Sequence, residues 1–230
     1  MVALTRKNSL REKNRNYSTE EEKEYYLLLK KLFNMLAPFY DLATAPFSRL
    51  RDKVVDFTNA RKGSRILDVA TGTGAQAFAF AKKGHDVIGI DLSEAMLKIA
   101  NKKKKYGNVK FEAADATNLP FEDDSFDVSC VSFALHDMPL VIREKALKEM
   151  VRVTKPNGMI VIVDYALPKG KISRFLIYHI VSLYERGSYS KFIKSDLDAL
   201  LKKSGIGIKE KITVLLGAGR ILKGIKISEN

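Results

Sequence analysis

The chain has one cysteine, three histidines and no tryptophan among its 230 residues. A single thiol excludes an intrachain disulfide. Cys130 also lies within the apolar run Phe126 to Phe133, where a small buried residue is expected rather than a nucleophile. His85, His136 and His179 are too scattered to give a metal-ligand spacing, so no metal is expected. Long apolar runs are missing too. No stretch approaches the roughly 20 residues that span a bilayer, and Met1 to Asn16 lacks the apolar centre of a signal peptide. A cytoplasmic location fits. No internal repeat or low-complexity tract is present, and the length suits one domain with a full core.

Charge of one sign dominates. The formal net charge is +13, and residues 166–230 carry thirteen basic and five acidic side chains. Plain solubility explains such an excess as readily as attraction to an anionic membrane surface or to RNA. All three readings stay open on composition, and the oligomeric state is not legible.

What is present centres on Arg65 to Gly74, Arg-Ile-Leu-Asp-Val-Ala-Thr-Gly-Thr-Gly. Its apolar run reads as a strand buried on both faces, its glycines as a tight turn, and Ala75 to Lys83 as a helix. Strand, glycine turn and helix open a nucleotide-binding crevice, where backbone must approach a ligand closely. Nineteen positions after Gly72, Asp91 closes the next apolar run, a spacing that suits a carboxylate on ribose hydroxyls. Gly72 to Ala77 also satisfies the dinucleotide pattern. Asp68 separates the two: a carboxylate just before the glycines repels a diphosphate but suits the ammonium and sulfonium of S-adenosylmethionine. Asp115 follows a third strand, Asn108 to Glu112, and is placed to accept from the adenine amino group. Leu92 and Met96 are placed to sandwich the adenine ring. Three acids at three successive strand ends point to a methyl donor.

Leu67 to Gly74 resembles the first motif of class I S-adenosylmethionine-dependent methyltransferases, and its Ala-Thr-Gly-Thr-Gly wording is most similar to the ubiquinone/menaquinone biosynthesis C-methyltransferases. Asn118-Leu119-Pro120-Phe121 and Asp124-Ser125-Phe126-Asp127 match that family's second passage. The resemblance covers roughly residues 33–226. Ala75 stands where the family usually has Asp, and Phe133-Ala134-Leu135-His136-Asp137 replaces a Phe-Gly-Leu-Arg-Asn segment. The resemblance implies a cofactor site of Tyr40, Asp68, Ala70, Thr71, Gly72, Thr73, Gly74, Asp91, Leu92, Met96, Asp115, Ala116, Ser132 and Phe133. Tyr40 belongs there through an N-terminal lid.

The implied fold is α/β: a Rossmann-like, seven-stranded, mostly parallel sheet with helices on both faces, an antiparallel C-terminal strand and an N-terminal helical lid. Residues 1–18 read as a flexible basic N-terminus and 19–230 as a single domain, with the lid at 19–61 and a substrate-side helical insertion at 166–204. Thr19 and Glu22 resemble a capping box opening a helix to about Leu36. Lys155 to Gly158 reads as a turn before a fifth strand, Met159 to Tyr165. Ile172 to Arg186 is apolar nearly all round, as a buried helix, a pocket wall or a lipid-facing surface would be. Ser195 to Ser204 reads as one helix.

Methyl transfer needs alignment and exclusion of water more than side-chain chemistry. His136, just past the fourth strand, is the candidate base. The acceptor expected is a hydrophobic small molecule, a quinone precursor or lipid-like compound. RNA is the alternative on charge, although Ser132-Phe133-Ala134-Leu135 stands where base-amine methyltransferases carry an Asn/Asp-Pro-Pro-aromatic tetrapeptide. An NAD-dependent oxidoreductase is the third reading, opposed by Asp68, and a protein that holds the cofactor without turnover is the fourth.

Overall fold

A computed structural model describes residues 20–168, 170, 175 and 188–227. The expected segments 1–18 and 172–186, and the cap residue Thr19, lie outside the described residues, Phe175 excepted.

The chain opens with α1 (Glu20–Thr44) and α2 (Ser48–Thr58), joined by a short 3-10 turn. Alternation follows: β1 (Arg65–Val69), α3 (Ala75–Lys82), β2 (Asp86–Asp91), α4 (Glu94–Lys103) and β3 (Val109–Ala113). Then come β4 (Phe126–Ser132), α5 (Leu140–Val153) and β5 (Thr154–Tyr165). Two short helices, α6 (Ser188–Lys194) and α7 (Leu197–Lys203), precede β6 (Ile206–Val214) and β7 (Gly219–Lys226).

The seven strands form one sheet in the order β3-β2-β1-β4-β5-β7-β6. β1 to β5 pair in parallel, and β7 runs antiparallel to both of its neighbours. The strand order reverses beside β1, which makes the crevice between β1 and β4 the topological switch point. Successive residues of the central strands feed two cores on opposite faces. Leu67, Val131, Ile160 and Ile162 join α5 and α7 through Leu147, Met150 and Leu201. Ile66, Val128, Cys130, Val161 and Val163 meet α2 and α3 through Leu50, Val54 and Phe80. Burial on both faces is why these strands read as continuous apolar runs.

Two elements depart from the sequence reading. α1 continues past Leu36 and past Pro38 to Thr44, carrying Tyr40 on a helix. Pro38 removes one backbone donor, a cost met by anchors on either side: Asn34 Oδ1 accepts from Ser93 Oγ at 3.2 Å, and Asp41 accepts from Thr73 Oγ1 and Lys103 Nζ, each at 2.6 Å. The Lys155 to Gly158 turn is absorbed into β5, where the register with β4 shifts between Phe126 and Val128 and Asn157 takes a left-handed φ of 62°. The helix expected at Ser195 to Ser204 forms as α7, which starts at Leu197 because Asp196 caps it by accepting from Ala199 N at 3.0 Å.

Candidate active site

At the C-terminal ends of β1 to β4 the backbone turns sharply twice at non-glycine residues. Ala70 (φ 55°) follows β1 and Phe133 (φ 51°) follows β4. Left-handed backbone is costly for a side chain, and such positions cluster where a ligand is gripped. Both turns are held across the sheet, by Thr71 N on Ile90 O and by Phe133 N on Val163 O, each at 2.8 Å.

These turns open a cavity of about 690 Å3, part of it continuous with solvent. Its floor is Ala70, Gly72, Ile90, Asp91, Leu92 and Met96. One wall is Ala114, Asp115 and Ala116, and the other is Phe133, Ala134, Asp137, Met138 and Ile142. α1 lies across it with Tyr25, Tyr26, Leu29, Phe33 and Tyr40. Among the described residues the lining holds three carboxylates and no Lys, Arg or His.

Asp91 is fixed by two backbone donors: Gly72 N on Oδ2 and Ser93 N on Oδ1, both at 2.8 Å. It thereby ties the glycine turn of β1 to the start of α4, while burial pushes its carboxyl above the usual range against these hydrogen bonds. Ser93 in turn caps α4 by accepting from Met96 N at 3.3 Å, which sets Met96 against the cavity floor. Asp115 accepts from Thr117 N at 2.9 Å and from the Tyr26 hydroxyl at 3.1 Å, so α1 is latched to the far wall. Burial raises the Tyr25 phenol well above its ordinary value, and the charges of Asp137, Asp115 and Asp91 add to the effect. Tyr25 therefore stays a neutral donor throughout the physiological range.

Of the residues expected at a cofactor, Tyr40, Ala70, Gly72, Asp91, Leu92, Met96, Asp115, Ala116 and Phe133 line this one cavity. Asp68, Thr71, Thr73, Gly74 and Ser132 do not. Asp68 is buried beneath the turn, where Thr71 Oγ1 donates to its Oδ2 at 2.5 Å. Burial raises its pKa to about 7, although the Thr71 hydroxyl and the Ala77 amide pull it down. Thr73 anchors Asp41 of α1. Gly74 is required by packing, since a Cβ there would sit 2.5 Å from the Phe111 ring.

His136 is buried and does not line the cavity. Its Nδ1 lies 2.8 Å from Asp164 Oδ1, its Nε2 lies 3.5 Å from Asp137 Oδ2, and its ring packs on Tyr165. The residue that meets the cavity is the next one, Asp137. Its only sequence signal was a carboxylate beside a histidine at a strand end. Tyr25 and Tyr26 also escaped the sequence reading, because in sequence they are two apolar positions of an amphipathic helix.

The sequence profile of the ubiE/COQ5 methyltransferase family matches residues 18–192. The chain belongs to the ubiE/COQ5 methyltransferase family. It is 38% identical over 177 residues to the demethylmenaquinone methyltransferase of Paenarthrobacter aurescens, covering 75% of this chain and 64% of that relative. To the Renibacterium salmoninarum protein of the same name it is 42% identical over 142 residues, covering 60% of this chain and 58% of the relative. To that of Geobacillus kaustophilus it is 36% identical over 185 residues, covering 76% and 74%. The chain thus spans less than two thirds of the first two relatives. Among solved structures it resembles a chain in the complex between the Haloferax volcanii Trm112 methyltransferase activator and the putative methyltransferase. That match has a TM-score of 0.70 at 16% identity, over 85% of this chain and 98% of the other. The [4+2]-cyclase SpnF matches with a TM-score of 0.69 at 18% identity, over 87% and 96%. Both likenesses speak for the fold alone, and a cyclase among them is a reminder that this fold hosts other chemistry.

Among the described residues no helix is long and apolar enough to cross a membrane, and no three His, Cys, Asp or Glu side chains group to hold a metal ion.

Proposed function

We propose that the chain is an S-adenosylmethionine-dependent methyltransferase acting on a hydrophobic, quinone-type small molecule. The carrying observation is the charge of the cavity, three carboxylates and no cation among its described walls at the strand-end crevice. That set suits a cofactor with an ammonium and a sulfonium and no phosphate, and it opposes a dinucleotide diphosphate. Asp91 would hold the ribose hydroxyls, Leu92 and Met96 the adenine faces, and Asp115 the adenine amino group. Gly72 gives the backbone its close approach. Bound there, the cofactor supplies an electrophilic methyl carbon.

The residues of this chain would do the rest. α1, as a lid, covers the cavity with aromatic rings and keeps water out. Phe133, Met138, Ile142 and Leu29 give the acceptor an apolar bed, in keeping with relatives named for demethylmenaquinone. A ring carbon that gains a methyl must lose a proton. Asp137 faces the cavity with that role open to it, while His136 acts through Asp137, oriented by Asp164. RNA is the weaker reading, since none of the described lining residues offers a cation to a phosphate backbone.

Three outcomes are expected. Calorimetric titration should show S-adenosylmethionine binding and no NAD binding; the reverse result refutes the reading. With demethylmenaquinol as acceptor, Asp137→Asn should lower kcat by about 100-fold while cofactor affinity stays unchanged. His136→Gln should give a smaller loss and an altered pH profile. A variant Asp137→Asn that turns over like the parent removes Asp137 from the mechanism.

A further inference from the structure

The face of α1 that points away from the cavity is apolar in a way the fold does not use. Leu28, Leu32, Met35, Phe39 and Leu42 are between 45% and 80% exposed. At 100° per residue they fall within one narrow stripe, running about 21 Å along the helix. Tyr25, Tyr26, Leu29, Phe33 and Tyr40, which line the cavity, lie on the flank centred roughly 115° further round the helix.

Charge says what suits this stripe. From Tyr25 to Tyr40 the helix has no acidic residue, and Lys31 stands exposed at the stripe's edge. The Asp41 carboxylate is already engaged by Lys103, an ion pair that sets the C-terminal end of α4 against the last turns of α1. Lys102, Lys104 and Lys105, at and just beyond that end, are exposed, as is Arg49 just after α1. The exposed acids of α1, Glu20 and Glu24, lie at its other end. An apolar stripe beside a cluster of cations is the composition of a helix that lies in the plane of an anionic bilayer surface.

We infer that α1 docks this protein on an anionic lipid surface, with Leu28, Leu32, Met35, Phe39 and Leu42 entering the headgroup boundary and the exposed Lys102, Lys104 and Lys105 meeting lipid phosphates. One helix then serves both sides, because the element that covers the cavity is the one that touches the membrane. A lipophilic acceptor reaches the site from the bilayer without crossing water. The choice of acceptor rests on the methyl-transfer reading; the docking does not.

The test is sedimentation of the full chain with phosphatidylcholine vesicles made with and without phosphatidylglycerol. Thermal melting and S-adenosylmethionine calorimetry are run on every variant. The parent should sediment with the anionic vesicles and much less with the neutral ones. The exposed double substitution Phe39→Ser with Leu42→Ser should lower partitioning about tenfold or more, with melting and cofactor binding unchanged. Lys104→Glu with Lys105→Glu should lower it on anionic vesicles only. The inference is overturned if the parent ignores both vesicles or if the serine variant sediments like the parent. It is equally overturned if light scattering shows a dimer that the serine variant splits while lipid has no effect, since the stripe then belongs to a second copy. Failure of cofactor binding in a parent that sediments normally would sink the methyl-transfer reading and leave the docking standing.

Discussion

Asp91→Asn is expected to weaken S-adenosylmethionine binding by about a hundredfold or more, read as the dissociation constant in a calorimetric titration. Hydrogen bonds to a charged group contribute roughly 1.5–3 kcal/mol each, and a ribose presents two hydroxyls. The substitution also disturbs the protein's own frame. One carboxylate oxygen accepts from Gly72 N and the other from Ser93 N. An amide has one acceptor where the carboxylate has two, so one of these amides loses its partner. The turn after β1 and the first turn of α4 then lose their common anchor, and a lower melting temperature should accompany the lost affinity. If Asp91→Asn binds the cofactor as tightly as the parent, the ribose assignment fails.

The second large effect concerns Asp68 and runs with pH. Its carboxyl is buried, with a pKa of about 7 in the fold against 3.8 for an ordinary aspartate. The folded state holds the proton more tightly than the unfolded chain, so stability from this group is complete below about pH 4. It falls as pH rises towards and through about 7. The difference between the two states corresponds to at most about 4 kcal/mol at alkaline pH. Asp68→Asn removes the titration. Chemical denaturation of the two proteins should therefore agree to within about 1 kcal/mol near pH 4 and diverge above it, the variant being the more stable at pH 8. Parallel curves across that range would show that Asp68 ionises as easily in the fold as in water. A cation bound above the turn favours the ionised form, so the cofactor should narrow the gap.

The parts of the fold that were legible in sequence are those where local pattern and tertiary burial agree. Ile66 to Ala70, Val87 to Ile90 and Phe126 to Phe133 read as strands because both of their faces are covered, and each ends at the cavity. Asp91 and Asp115 could be read because a strand end fixes where its next side chain goes. α1 beyond Leu36 was illegible, since Pro38 is a local stop signal that distant partners override: Ser93 at Asn34, and Thr73 and Lys103 at Asp41. Lys155 to Gly158 has the composition of a turn, but its backbone is recruited into β5 by the neighbouring strand. Asp68 was expected in the cofactor site on electrostatic grounds, yet it lies below the cavity rather than in its lining. A sequence gives the strand end but not which side of the glycine turn a carboxylate occupies.

α1 is a single rod of 25 residues, about 37 Å long, fastened at Tyr26 to Asp115, at Asn34 to Ser93 and at Asp41 to Thr73 and Lys103. A hinged flap lets a molecule pass by releasing its tip. A stiff bar fastened near its start, middle and end has no tip to release, so freeing one fastening leaves the other two closed. Lifting α1 as one body is therefore expected to break all three fastenings together, which hydrogen exchange across residues 20–44 would show as one opening step rather than three.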